Sequence, residues 1–288
     1  MTSGPKPAEV PPIKDRWLLV VCIARTLLFA NFMVVASCFT QILEVWQIGF
    51  SEAGAISAGF LAGYAVSLLG FSVLADCIGA RNSVLISAAA AAVSALAFAG
   101  FARSYESALY LYTFAGLTQG GVYTPLIMVF SDRYPERIRG ARIGWLIAST
   151  SVGYALSLAL SFAALSLSDY RSAFVVTGVA PVFGAAILIA ALFRIPNIRH
   201  VRLAAPMRRR PWRALFKNRP ANWLLAGYTA HCWELIGMWS WMPTFLATNA
   251  ATNAARTPPS SEDGALVAAC LHLTGAVAAS SMGRLSDH

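Results

Sequence analysis

The sequence predicts an all-α protein that crosses a membrane repeatedly, and three observations point to it. Of 288 residues, 57% are hydrophobic and only 12% charged, where a soluble domain carries about 25% charged residues. The apolar residues form eight runs, each able to cross about 30 Å of hydrocarbon at roughly 1.5 Å per residue. The basic residues gather beside alternate ends of those runs, as they do where a chain is sorted across a bilayer.

The runs, in order, are 17–41, 53–75, 83–102, 108–131, 143–165, 172–193, 221–247 and 264–282. Each is expected to be a helix, because lipid offers the backbone no hydrogen-bond partner. They are too long and too continuous for the strands of a barrel. Residues 1–16 form a polar, Pro-rich tail, and the first run is too long for the core of a cleavable signal. The expected organisation is therefore a tail (1–16), a six-helix bundle (17–193), a basic linker (194–220) and two helices of a second, incomplete bundle (221–288).

Orientation follows from the same basic residues. Eighteen of the 22 Lys and Arg side chains fall on one side, three (Arg103, Arg171, Arg256) on the other, and Arg25 alone lies within a span. This bias places the N-terminus in the cytoplasm. The net charge of +9 is thus spent on topology, and nucleic acid is not an expected partner. Arg208, Arg209 and Arg210 in the linker can meet lipid headgroups, although a positive-inside connector accounts for them. The five cysteines show no CxxC spacing and read as small apolar residues rather than ligands or disulfide partners.

Between the second and third runs stands Ser72-Val73-Leu74-Ala75-Asp76-Cys77-Ile78-Gly79-Ala80-Arg81. Gly79 permits a tight turn, and Asp76 can cap the following helix and pair with Arg81. The chain closes on Gly283-Arg284-Leu285-Ser286-Asp287-His288, a second Gly-x-Leu-x-Asp on the same side, just after the eighth run. This pair of loops resembles the signature of the major facilitator superfamily, with Leu74, Ala75, Asp76, Gly79 and Arg81 matching and Ser72, Cys77 and Ala80 departing. Asp132-Arg133-Tyr134-Pro135-Glu136-Arg137, with Arg139-Gly140, resembles another loop of that family. The resemblance implies a major facilitator type helical bundle, in which two six-helix repeats surround a central cavity. It also implies that the polypeptide stops after eight of twelve spans and by itself does not transport.

Two family features are missing. The fourth helix often carries Arg three residues before Gln-Gly; here Gln119-Gly120 is present but Gly116 holds the Arg position. Drug–proton antiporters show Gly-x8-Gly-x3-Gly-Pro in the fifth helix; Gly144 and Gly153 fit, but Ser157 and Leu158 replace Gly-Pro. The two glycines then serve close packing.

Charged and polar residues inside spans are functional candidates by default, and the resemblance places substrate among the first, fourth and seventh helices. Arg25, Asn31, Gln119, Tyr123 and Trp241 are the expected substrate-binding residues, with Arg25 attracting an anion and Gln119 and Tyr123 orienting it. Glu234, midway along the seventh run, and His231, three residues earlier on the same face, are expected to couple protons. Asp76, Gly79, Arg81, Gly283 and Asp287 form the conformational signature loops. His272 reads as a packing residue.

The expectation is a proton-coupled secondary transporter of a small solute, organic or inorganic anion, with protons and the lipid bilayer as partners. No cofactor or metal is expected. A drug or metabolite efflux antiporter and a non-transporting membrane protein are the alternatives. An enzyme is not expected, because His231-x-x-Glu234 lacks the third and fourth ligands of a metal site. Nineteen Arg against three Lys, with no Asn-x-Ser/Thr, suggest a bacterial cytoplasmic membrane.

Overall fold

The computed structural model describes residues 15–199, 216–253 and 261–287. The tail with Lys6 and Lys14, the Arg208–Arg210 run and the turn holding Arg256 and Pro258-Pro259 lie outside the described residues.

All eight expected spans are present as helix, and no strand occurs among the described residues. The first is broken into α1 (Asp15–Leu28), α2 (Val34–Ser37) and α3 (Phe39–Trp46). Then follow α4 (Phe50–Ile78), α5 (Ala80–Phe101) and α6 (Tyr105–Gln119). A 3₁₀ turn at Gly120–Val122 separates α6 from α7 (Thr124–Arg133), so the fourth span is broken too. After these come α8 (Glu136–Leu167), α9 (Tyr170–Leu192), α10 (Arg219–Asn253) and α11 (Ser261–Leu285). Several helices outrun the apolar runs, since polar ends such as Glu52 and Arg137–Arg142 remain helical beyond the hydrocarbon. Five helices are long and apolar enough to span unbroken: α4, α5, α8, α9 and, over Leu266–Leu285, α11.

Local chemistry sets the helix starts. Gly49 N–H donates to Glu52 Oε2 at 2.8 Å, and Ser104 Oγ accepts from Ser107 N–H at the head of α6. Asp169 caps α9 by accepting from Ser172 N–H at 3.0 Å. That hydrogen bond holds the Asp169 carboxyl below its ordinary value of 3.8. Between α4 and α5, Gly79 takes φ +92°, a conformation that costs a residue with a Cβ.

The seams between helices are built from small residues, because without a hydrophobic drive helices associate in lipid by close packing. Gly153 of α8 lies against Thr26 and Phe29, and Gly184 of α9 against Ala24 and Leu28, so α1 is gripped from both sides. Gly63 and Gly116 let α4 and α6 touch backbone to backbone, and Gly59 makes room for the Thr113 and Leu109 side chains. Gly144 and Gly283 do the same for α8 and α11. The close-packing role expected of Gly144 and Gly153 is thus realised. Large apolar side chains such as Leu69 and Leu167 point outward at 74% and 88% exposure, as lipid-facing surface should.

Candidate functional site

The site is built where two helices stop. α1 ends at Leu28, and residues 29–33 form a turn before α2. Non-helical backbone at membrane depth persists only where other groups satisfy it, and here they are identifiable. Gln119 Nε2 donates to the Leu28 carbonyl at 2.6 Å. Tyr112 Oη donates to the carbonyls of Asn31 at 3.1 Å and Phe32 at 2.6 Å. Met33 N–H donates to Ser157 Oγ at 3.1 Å. The break in the fourth span lies opposite, immediately after Gln119; Gly120 N–H donates to Ser67 Oγ at 2.8 Å.

Arg25 sits in the last turn of α1. It is fully buried, and no other formally charged side chain among the described residues is. Nη1 donates to the Leu146 carbonyl of α8. The rings of Tyr123 and Phe29 lie 4.9 and 5.3 Å from the guanidinium carbon. Nε and Nη2 have no hydrogen-bond partner, and no carboxylate pairs with Arg25 among the described residues. Two further buried polar groups, one in the first span and one in the fifth, are open: both amide atoms of Asn31 and Thr150 Oγ1. Thr150 follows Leu146 by one helical turn of α8, on the same face.

An aromatic wall joins this cluster to the last two helices. Tyr154 of α8 contacts Phe29 and Phe32 at 5.8 and 4.5 Å between centroids. On its other side it meets Trp239 of α10 at 5.1 Å and His272 of α11 at 5.4 Å. His272 is buried and packs between rings, as expected of it.

The structure therefore brings Arg25, Gln119 and Tyr123 together beside the break that contains Asn31. It does not bring the α10 candidates to them. Trp241 packs against Phe39 at 5.3 Å and Phe50 at 6.4 Å, on α3 and α4. It rims a groove of about 540 Å³ between α4 and α10, lined also by Gly54, Ser57 and Trp233. His231 and Glu234 are exposed and make no ion pair or hydrogen bond among the described residues. Thr150, Tyr112 and Tyr154 were not expected. Tyr112 and Thr150 carry only a hydroxyl each, which nothing in an apolar run sets apart.

The signature loops also differ from expectation in their partners. Arg81 does not pair with Asp76; its Nε and Nη2 donate to the carbonyls of Leu192 and Phe193 at 2.9 and 2.7 Å. Those carbonyls stand at the end of α9, where the Leu192 carbonyl also accepts from Ile195 N–H at 3.0 Å, so Arg81 ties the start of α5 to the end of α9. Nor does Asp76 cap α5, whose first-turn Asn82 N–H donates to Asn197 Oδ1 at 3.4 Å. Asn197 instead covers Gly79, with Nδ2 donating to the Ile78 carbonyl at 2.6 Å. The second loop is engaged as a clamp. Asp287 accepts from the backbone N–H groups of Gly140 at 2.7 Å and Ala141 at 2.8 Å, tying the end of α11 to the start of α8.

Gly116, where the family often carries Arg, faces the Phe60 carbonyl so closely that any side chain would collide with α4. The guanidinium of the site comes from the first span instead.

The family model described as Major Facilitator Superfamily matches residues 21–288. A search of curated proteins finds no match. Among solved structures, a bacterial homolog to the human lysosomal transporter Spinster, in an inward-facing and occupied conformation, aligns with TM-score 0.63 and 18% identity. That alignment covers 95% of this chain and 60% of the other. A D-xylose-proton symporter aligns with TM-score 0.61 and 13% identity over 92% of this chain and 67% of its own. The proton:xylose symporter XylE bound to 6-bromo-6-deoxy-D-glucose gives TM-score 0.52 and 15% identity, over 64% and 45%. At these identities the likeness speaks for the fold, and the chain spans between about half and two thirds of each neighbour's length.

Proposed function

The chain belongs to the major facilitator superfamily, and from that premise we propose that it forms the substrate-holding part of a proton-coupled carrier for a small anionic solute. The observation that carries the reading is Arg25, buried at the break of the first span without a carboxylate partner among the described residues. Burying an unpaired charge is costly, and a solute anion is the partner that recovers the cost. Gln119 and Asn31 shape the break, and Tyr123 holds the guanidinium from one side.

Trp241 lies at the mouth of the groove through which solute passes between the bundles. Glu234, with His231 on the same face of α10, takes up the proton; an intramembrane carboxylate is a functional group by default. The signature loops alternate between engaged and released states, with Asp287 on α8 as the engaged form. The N-terminus is cytoplasmic, and the membrane is a bacterial cytoplasmic one.

The aromatic wall would also suit a neutral sugar, and two of the similar structures are xylose symporters. A sugar hydroxyl can accept from the open guanidinium N–H groups but leaves the buried charge unbalanced, so the anion is preferred. The test is solute uptake in proteoliposomes of a carrier joining these eight spans to four more. A proton gradient should drive anion accumulation, and Glu234→Gln should abolish accumulation while leaving downhill exchange. Accumulation that survives the substitution removes Glu234 from coupling.

A further inference from the structure

We infer that the solute is a small organic monocarboxylate, seated on the Nε–Nη2 edge of Arg25 with its body against the aromatic wall. This rests on the anion reading above and narrows it to one chemical class. Nη1 is held by the Leu146 carbonyl, and the rings of Phe29 and Tyr123 stand over the group. What remains is one in-plane edge, with the Nε–H and one Nη2–H side by side. Two parallel N–H donors on a planar fork match the two oxygens of a carboxylate bidentately.

Charge and shape agree with that geometry. Arg25 is the only formally charged side chain fully buried among the described residues, so the site balances one negative charge. Phosphate, tetrahedral and a mixture of mono- and dianion at neutral pH, would leave acceptors, and as the dianion charge, unmatched. A carboxylate leaves none on the edge. Its carbon substituent then meets Phe29, Phe32 and Tyr154, whose rings lie within 5.8 Å of one another in sequence along the wall. Thr150 Oγ1, buried and unpartnered one turn beyond Leu146, supplies one more hydrogen bond for a hydroxyl or keto oxygen beside the carboxylate. Such a ligand satisfies the open atoms of Arg25 and Thr150 together.

The experiment is equilibrium binding of radiolabelled benzoate to the full purified chain in detergent, with unlabelled lactate, nitrate, phosphate and D-xylose as competitors. Saturable benzoate binding is expected, with lactate competing and phosphate and xylose weaker by about 100-fold, a difference of two decades in Kd. Arg25→Lys keeps the charge but loses the fork, and should weaken benzoate by at least about 10-fold. Thr150→Val should weaken lactate more than benzoate, which has no oxygen beside its carboxylate. Should the Arg25 variant fail to fold, the competition series on the unaltered chain decides alone. Phosphate or nitrate competing as well as lactate overturns the carboxylate class while the anion reading stands. Xylose displacing label as well as lactate does, or no saturable binding of any anion, overturns both.

Discussion

Arg25 takes a full charge into the bundle, and the groups around it show how it is tolerated. Desolvation costs several kcal/mol. Against it stand a carbonyl hydrogen bond, the negative end of the α1 dipole, contributing up to about 2 kcal/mol, and two ring contacts of up to about 2 kcal/mol each when desolvated. The rings are therefore part of what keeps the charge in place. Tyr123→Phe, which retains the ring, should leave thermal stability nearly unchanged, while Tyr123→Leu should cost about 1–2 kcal/mol. Equal losses in the two variants would mean that the hydroxyl, not the ring, supports Arg25. At this scale the sequence was informative where a residue type is out of place: a guanidinium or a glutamine in an apolar run invites attention. Thr150 and Tyr154 do not, since hydroxyl and aromatic residues are ordinary in membrane helices. Their importance comes from what α8 faces, which is a property of packing.

Among the helices, the two broken spans differ in how far they could be read. Gly120-Gly121 and Pro125 are breakers in plain view, and Pro125 cannot donate to a preceding carbonyl, so α6 and α7 separate where local chemistry demands. Nothing between Leu28 and Val34 breaks a helix by itself. That turn is held by Gln119, Tyr112 and Ser157 from other spans, and such a cause is invisible in a local window. Restoring the family's arginine by Gly116→Arg is expected to fail for a related reason: the Phe60 carbonyl occupies the space. The cost should be about 3 kcal/mol, read as a lowered melting temperature in detergent. Capping gives a further expectation at this scale. Asp169 has its carboxyl depressed by Ser172 N–H, so its contribution to α9 is fully present above pH 3.8 and is lost as pH falls through the lower folded-state value. Asp169→Ala should cost about 1 kcal/mol at neutral pH, and wild type and variant should converge only in stronger acid. Convergence already at pH 5 would contradict the capping role.

For the whole molecule, the order and number of spans were legible because lipid imposes length and hydrophobicity on every crossing. Partners between spans were not. Both signature aspartates stand at comparable helix ends, yet among the described residues only Asp287 finds backbone donors, because α8 begins beside α11, whereas Arg81 and Asn197 occupy the ends around Gly79. Two charge-assisted hydrogen bonds should hold the α8–α11 contact by roughly 1.5–3 kcal/mol. Asp287→Asn should accordingly raise the open fraction of that end about tenfold or more, measured by disulfide trapping of cysteines placed at the two helix ends. Unchanged trapping would show that the Gly144–Gly283 seam carries the contact without the carboxylate. The proposed orientation has its own check: Lys217→Cys in a cysteine-free background should resist an impermeant thiol reagent added outside cells.

We propose Arg25, buried with two open donors, as the group that meets the solute anion. The most direct measurement is the ¹H–¹⁵N resonance of Arg25 Nε–H in the purified protein, assigned by its disappearance in Arg25→Lys. Titration with lactate should move that resonance downfield and saturate, while D-xylose leaves it in place. A resonance indifferent to every anion tested, or one that moves with the sugar alone, would contradict the account.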